Sequence, residues 1–247
     1  MKRNRWSAWT LAAVLVACTP ATPPPAKPTE RATALYFLEN DNTAGAATVR
    51  MLVTEKFLRI DAGADDGEFI LYDRARRTIY NISAADRLIL VIPARAVPVS
   101  GAPRLYYRTK RDSAAFPRIE GRPVVHYRLL TNGRVCYDLY AADGLLPEAV
   151  AALREYREAL AGEQYAAIGY TPNEFKAPCD LANHVYAPAR YLVHGFPVRL
   201  VELDARDARR RRVTELTDYR TNMEVAPALF DLPASFRRIP LRELQTR

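Results

Sequence analysis

Between residues 32 and 109 the chain is a series of short apolar segments separated by turn signals, and this spacing restricts its possible folds more than any other feature. In one segment Val49, Met51 and Val53 share a face, since successive side chains of a strand point to opposite faces. Segments this close in sequence leave no room for the long crossovers that parallel strands need. The pattern therefore predicts a meander of consecutive antiparallel strands.

A second β block follows the first. Asn132-Gly133 is the strongest hairpin signal in the chain, because the tightest hairpin turns need two residues that tolerate positive φ. It predicts that strands over 123–130 and 134–141 pair with each other. Three later segments are also predicted to be strands, and an apolar tail is expected to pin the C-terminus to the core. The strands are 191–194, 197–204 and 213–219, and the tail is 228–233.

One segment has helical periodicity. It begins at Pro147, a residue favoured in the first turn of a helix, and is expected to end at about Ala161 with Gly162 as the stop. Its apolar residues recur at helical spacing and are Val150, Leu153, Tyr156 and Leu160. The predicted fold is therefore mainly β with one helix (α+β), in which a curved antiparallel sheet, or half-barrel, carries the helix against its concave side.

The N-terminus has the pattern of a secretory signal peptide. Lys2, Arg3 and Arg5 precede a mostly apolar run of twelve residues, 6–17. A membrane-spanning helix needs about 20 apolar residues, so this run is too short to cross a bilayer. The run leads into the tetrapeptide Leu-Val-Ala-Cys at 15–18, which resembles the lipobox of bacterial lipoproteins.

The lipobox resemblance implies cleavage before Cys18 and a thioether-linked diacylglycerol on its sulfur, with acyl chains such as palmitate as a membrane anchor. Thr19 stands where an Asp commonly retains such proteins at the inner membrane. The resemblance therefore implies a bacterial outer-membrane lipoprotein whose domain faces the periplasm. The alternative is an ordinary cleaved signal with a coincidental Cys at this position.

These features divide the chain into three parts. Residues 1–17 are the predicted signal peptide, and residues 18–31 comprise the lipidated Cys and a tether. The tether is expected to be extended, because it contains three successive prolines, which prefer the polyproline conformation. Residues 32–247 are predicted to form a single β domain. The net charge is +8, and it falls to +5 when the three cations of the leader are removed. This mild excess does not indicate nucleic-acid binding.

Two cysteines remain if Cys18 carries lipid. Cys136 and Cys179 form an even pair, which in an oxidising compartment is most simply a structural disulfide. The alternative is a redox-active thiol pair, but the two residues do not form the C-x-x-C motif of such sites.

Motifs for catalysis are scarce. The sequence contains no nucleophile elbow, no zinc-protease motif and no phosphate-binding glycine loop. His126, His184 and His194 lack paired metal-ligand spacing, so we expect no metal, no cofactor and no enzymatic activity. The weakest hypothesis is a hydrolase that uses these histidines, or Asp61 and Asp73 as a carboxylate pair if their strands align.

The densest charge cluster lies near the end of the chain. Guanidinium groups bind phosphates and carboxylates, so the cluster is a candidate contact for lipid head groups, lipopolysaccharide or an acidic protein. The alternative is a solvated hairpin end balanced by Asp204 and Asp207. The cluster consists of Arg206, Arg209, Arg210, Arg211 and Arg212.

The order of strands in the first block resembles that of the LolA/LolB-like superfamily, the bacterial carriers and receptors of outer-membrane lipoproteins, which also includes families with no assigned activity. A strand is followed by the triplet Arg59-Ile60-Asp61, a turn, a strand ending in Asp73 and another ending in Tyr80. The closing Leu-Phe-Asp-Leu-Pro at 229–233 is also similar to the end of such domains.

In carriers of this superfamily the sheet forms an apolar cavity for acyl chains. The resemblance therefore implies a non-enzymatic lipoprotein that binds a lipid or an acylated ligand in the half-barrel. The alternative is an envelope structural or protein-interaction lipoprotein with a filled core and no small ligand. An empty apolar volume of several hundred Å³ on the concave side of the sheet, the usual scale of ligand pockets, distinguishes the two.

The acylation of Cys18 is a first testable prediction. In an export-competent bacterium the wild-type product is expected to carry diacylglycerol and to fractionate with membranes, because several acyl chains anchor a protein stably. Cys18→Ser is expected to release it to the soluble fraction, whereas Thr19→Ser is expected to leave it in the membrane. Intact mass spectrometry checks the modification, and a bare Cys18 thiol in the wild-type product would contradict the prediction.

Overall fold

The computed structural model describes residues 29–41, 45–170, 176–203, 211–241 and 243. Within these residues the chain forms twelve strands, two α-helices and several short helical turns. The strands are β1 (Glu30–Asp41), β2 (Gly45–Val53), β3 (Phe57–Asp61), β4 (Phe69–Asp73), β5 (Thr78–Ser83), β6 (Leu88–Pro93), β7 (Tyr107–Arg111), β8 (Val124–Thr131), β9 (Arg134–Ala142), β10 (Phe196–Leu203), β11 (Arg211–Val225) and β12 (Arg237–Pro240).

All twelve strands belong to one sheet with the order β12-β6-β5-β4-β3-β2-β1-β11-β10-β9-β8-β7. The meander predicted for the first block is confirmed, because β1 to β6 pair consecutively and antiparallel. The hairpin of β8 and β9 at Asn132-Gly133 is also confirmed. β1 joins the two blocks by pairing with β11 as well as β2, and β12 adds to β6 as a parallel edge strand.

Both faces of the sheet are apolar. We call the face that contacts the long helix the helix side, and it includes Leu35, Val53 and Leu58. We call the opposite face the tail side, and it includes Leu52, against which Phe230 of the C-terminal segment packs in the same cluster. Alternation along each strand therefore serves two separate cores, as the pattern in β2 predicts.

The helix α1 (Pro147–Ala167) covers the helix side and contacts β2, β3, β5, β6 and β10. Arg74 fixes it to the sheet by donating two hydrogen bonds, of 2.7 and 2.8 Å, to the Glu155 carboxylate. The predicted stop at Gly162 is wrong, because Gly162 is buried inside the helix. A Cβ there would collide with the backbone carbonyl of Arg95, so glycine is required for close packing rather than for termination.

The prediction of a single helix is also wrong, since a second one, α2 (Pro178–Leu181), leads into a π-helical turn, Ala182–Tyr186. The segment predicted as a strand over 191–194 forms a 3-10 helix, Arg190–His194. A short apolar run does not by itself distinguish strand from helix. No helix among the described residues is both long and apolar enough to cross a membrane.

The triplet Arg59-Ile60-Asp61 in β3 ties the C-terminal tail to the sheet. Arg59 is buried on the tail side, where its Nε donates to Asp61 at 2.6 Å and its Nη1 donates to the carbonyl of Leu229 at 2.5 Å. Its guanidinium also lies 3.9 Å from the ring centroid of Phe69. Charge pairing and hydrogen bonding therefore compensate the burial of both ions.

Arg50 completes this network by donating to both Asp61 oxygens, at 2.8 and 2.9 Å. Burial raises the pKa of Asp61, but the hydrogen bonds from Arg50, Arg59 and the Gly63 amide outweigh it and hold the pKa below 3.8. A carboxyl whose pKa is lowered by folding stabilises the protein above its unfolded pKa. That contribution is lost as the pH falls through its folded pKa.

The network predicts a specific acid sensitivity. Asp61→Asn is expected to cost about 3–5 kcal/mol at neutral pH, because it leaves Arg59 buried without its carboxylate. The difference between variant and wild type is expected to begin to shrink below about pH 4, where the carboxyl of the unfolded chain becomes protonated, and to be smallest once the pH has fallen through the lowered pKa of the folded protein. Urea unfolding across pH checks this, with the exposed Asp66→Asn as a control within about 0.5 kcal/mol of wild type. A pH-independent difference for Asp61→Asn would contradict it.

Candidate functional site

A partly open cavity of about 350 Å³ lies between α1 and the helix side of the sheet. Such a volume is at the lower end of the range typical of small-ligand pockets. The lining is apolar at one end and polar at the other. The apolar part is formed by Phe37, Val49, Met51, Ile60, Ile70, Leu153, Tyr156, Pro197 and Leu200, and the polar part by Glu39, Arg157, Tyr191, Glu202, Arg212 and Thr214.

The apolar wall is less buried than the ion network behind it. In β3 the charged Arg59 and Asp61 are buried on the tail side, whereas Ile60 between them is only half-buried on the helix side. Met51 and Ile70 on the flanking strands are half-buried as well. Partly exposed aliphatic groups in a concavity are a feature of binding sites for apolar ligands.

The cavity extends across several strands of the sheet. Its lining comes from six strands that are neighbours in the sheet, β4, β3, β2, β1, β11 and β10. Five steps of about 4.8 Å between strands give a span of about 24 Å along the sheet. The apolar residues of β2 to β4 lie toward one end, and Glu202 and Arg212 lie on the strands at the other. The shape fits a linear molecule with chemically different ends.

At the polar end, Arg157 of α1 lies beside Tyr191, with its guanidinium carbon 5.8 Å from the ring centroid. Glu202 on β10 is held by His184, whose Nε2 is 3.1 Å from the carboxylate. Burial raises the pKa of Glu202, but the hydrogen bond from His184 and the charges of Arg157 and Arg212 outweigh it, so the pKa is lowered. Glu202 is therefore ionised at neutral pH.

The predicted disulfide between Cys136 and Cys179 is confirmed, with an Sγ–Sγ distance of 2.03 Å. It joins β9 to α2, and α2 continues into the π-helical turn that carries Asn183 and His184. The Asn183 amide donates to the Glu202 carboxylate at 3.4 Å. The disulfide thus holds the segment that supports the polar end of the cavity.

The other predicted site residues have different outcomes. Cys18 lies outside the described residues, as do three members of the arginine cluster, Arg206, Arg209 and Arg210. Arg211 is exposed at the start of β11, and Arg212 lines the cavity. β11 therefore begins two residues before the strand predicted over 213–219. The contact with an anionic partner remains a prediction.

Asp61 and Asp73 do not form a carboxylate pair. β3 and β4 are antiparallel, so Asp61 lies opposite Phe69 and Asp73 lies opposite Phe57, at the two ends of the ladder. Their hydrogen bonds are also separate, because Asp73 accepts from the backbone amide of Arg76 whereas Asp61 belongs to the ion network. This arrangement gives the hydrolase hypothesis no acid–base pair.

The histidines occupy ordinary structural positions. His126 is buried on β8, with Nδ1 3.1 Å from Asp112 and Nε2 2.7 Å from Asp138, and its ring stacks on Tyr140. His194 stacks on the ring of a neighbouring tyrosine, with centroids 4.3 Å apart. No group of three or more His, Cys, Asp or Glu that could hold a metal occurs among the described residues.

The polar end includes residues that sequence reasoning missed. The apolar stripe predicted for the helix does not include Arg157, and no functional role is predicted for Tyr191 or Glu202. Positions 153 and 157 are four apart and so share a helix face. An arginine following Leu153 at this spacing is a signal that could have placed Arg157 on the sheet-facing side.

No family model matches this chain, and no curated protein matches it. Among solved structures, PNGF-II is similar with a TM-score of 0.42 and 7% identity, covering 87% of this chain and 32% of the other. MucB is similar with a TM-score of 0.39 and 11% identity, covering 84% and 59%. This chain therefore spans about a third of the PNGF-II chain and less than two thirds of MucB.

A LolA superfamily protein from Nitrosomonas europaea is also similar, with a TM-score of 0.28 and 10% identity, covering 85% of this chain and 89% of that one. All three TM-scores are below 0.5, so the function proposed below rests on the cavity itself.

Two substitutions on one strand test whether the cavity is empty. Ile60→Phe projects into the cavity and is expected to change the free energy of unfolding by less than about 1 kcal/mol. Leu58→Phe, on the same strand and face but fully buried, is expected to cost about 1–3 kcal/mol through overpacking. Urea unfolding of both variants checks this. Equal destabilisation by the two would show that the space beside Ile60 is filled.

Proposed function

We propose that this domain binds a lipid or another acylated ligand, without catalysis, in the cavity between α1 and the helix side of the sheet. The observation that carries the proposal is a cavity of about 350 Å³ across six neighbouring strands, whose aliphatic residues on β2, β3 and β4 are only half-buried. A structural protein gains nothing from leaving such surface uncovered, because each buried methylene contributes about 0.8 kcal/mol.

The shape of the cavity favours a chain over a compact ligand. Val49 and Met51 of β2, Ile60 of β3 and Ile70 of β4 form a continuous floor, and Leu153 of α1 faces them. Apolar contact along such a floor needs no directional partners, which suits acyl chains that carry no hydrogen-bonding groups.

The proposed setting is the outer membrane of a bacterium, with the domain held at the periplasmic surface by the lipid on Cys18. The lipobox pattern and the proline-rich tether support this part of the proposal. In this setting the ligand is a membrane lipid, a free fatty acid or an acylated protein, and the anchor keeps the cavity close to its source.

Displacement of a fluorescent fatty acid tests the function. The full chain carrying Cys18→Ser is expected to enhance the fluorescence of the probe, and unlabelled fatty acid is expected to reverse it. Met51→Trp fills the floor and is expected to weaken binding at least about tenfold, whereas Val99→Trp, at an exposed loop position, is expected to leave it unchanged.

Circular dichroism melting of both variants confirms that each is folded. Binding that survives Met51→Trp unchanged would place the probe outside this cavity. The absence of saturable binding in the parent chain would contradict the proposed function and favour an envelope protein-interaction role.

A further inference from the structure

Four charged side chains line the polar end of the cavity, and three of them are satisfied by the protein. Glu202 is held by His184 and Asn183. Arg212 pairs with Asp41 at 3.6 Å. Glu39 accepts a hydrogen bond of 3.4 Å from the Thr214 hydroxyl. The fourth is Arg157.

Arg157 forms no ion pair with any carboxylate among the described residues. Its neighbours are Tyr191, whose hydroxyl accepts a hydrogen bond from the guanidinium and whose ring lies beside it, and the charge of Glu202, which is already bound by His184. The fully buried Tyr137 hydroxyl beneath this cluster also lacks a hydrogen-bond partner among the described residues. The polar end therefore has unused hydrogen-bonding capacity.

Arg157 hydrogen-bonds Tyr191 but has no carboxylate ion pair among the described residues, and this is unfavourable because burying a charge is costly unless an opposite charge lies beside it. Most surface arginines avoid this cost by reaching into water. Arg157 instead lies on the cavity face of α1, next to Tyr156 and one turn after Leu153, both of which belong to the apolar wall. Arg157 therefore places a positive charge directly beside the apolar part of the cavity lining.

We infer, building on the proposed function, that Arg157 binds the anionic head of a single-chain amphiphile whose chain lies along the apolar floor. The head is a carboxylate or a phosphate monoester, because a planar guanidinium binds both by paired hydrogen bonds. A neutral head of the same size would leave the guanidinium without a counter-charge.

Three ligands with the same dodecyl chain separate chain binding from head-group binding. They are dodecanoate, dodecyl phosphate and dodecanol, titrated calorimetrically into the full chain carrying Cys18→Ser. At least one anion is expected to bind about 10 to 100 times more tightly than the alcohol, the range of a hydrogen bond to a charged group. The tighter of the two anions identifies the head group.

Arg157→Met is expected to abolish this preference by weakening the anions to the level of the alcohol, while dodecanol binding changes little. Arg157→Lys is expected to retain part of the preference, because it keeps the charge but loses the paired geometry. Arg154→Met, one turn earlier on α1 and outside the cavity lining, is the matched control and is expected to keep the full preference.

The outcomes distinguish the two proposals. Equal binding of all three ligands to the parent chain would overturn the role of Arg157 and leave the cavity function standing. Binding of none of them would overturn the cavity function itself. A preference for anions that persists in Arg157→Met would assign the head group to another cation and would also overturn this inference.

Discussion

Each strand of the meander β1 to β6 contributes side chains to both apolar faces of the sheet, the helix side and the tail side. This constraint determines much of the structure. Because side chains alternate along a strand, a residue committed to one face fixes the direction of its neighbours. In β3 this places Arg59 and Asp61 in the tail-side interior and Ile60 against the helix side. A register change of one residue would exchange the two sets and disrupt both faces.

The two faces are covered by different means. The tail side is sealed by the C-terminal segment, which Arg59 holds through the Leu229 carbonyl. The helix side has one long helix for six neighbouring strands, brought close where Gly162 meets Arg95 and tied by the ion pair of Arg74 with Glu155. A single helix about 10 Å across cannot cover a surface of this width, so part of it borders the cavity.

The strands of the first block and the hairpin of β8 and β9 could be predicted because they follow from local alternation and turn chemistry, as in β2 and at Asn132-Gly133. The pairing of β1 with β11 joins segments far apart in sequence, and nothing in either segment specifies that partner. Gly162 was misjudged because a glycine that ends a helix and one that admits a neighbouring backbone look alike in sequence. The cavity was anticipated only as a resemblance, while its polar end depends on tertiary placement of Arg157 and Glu202.

The bond between Cys136 and Cys179 gives the cavity a dependence on cellular chemistry. The two cysteines are 43 residues apart, and the loop between them contains α1. Cys179 itself lies in α2, which leads directly into the π-helical turn. A cross-link that closes a loop of this length lowers the conformational entropy of the unfolded chain, and this stabilises the fold by about 4 kcal/mol. Under reducing conditions His184 and Asn183 lose that covalent hold, so the support of the polar end of the cavity depends on oxidation of the two cysteines.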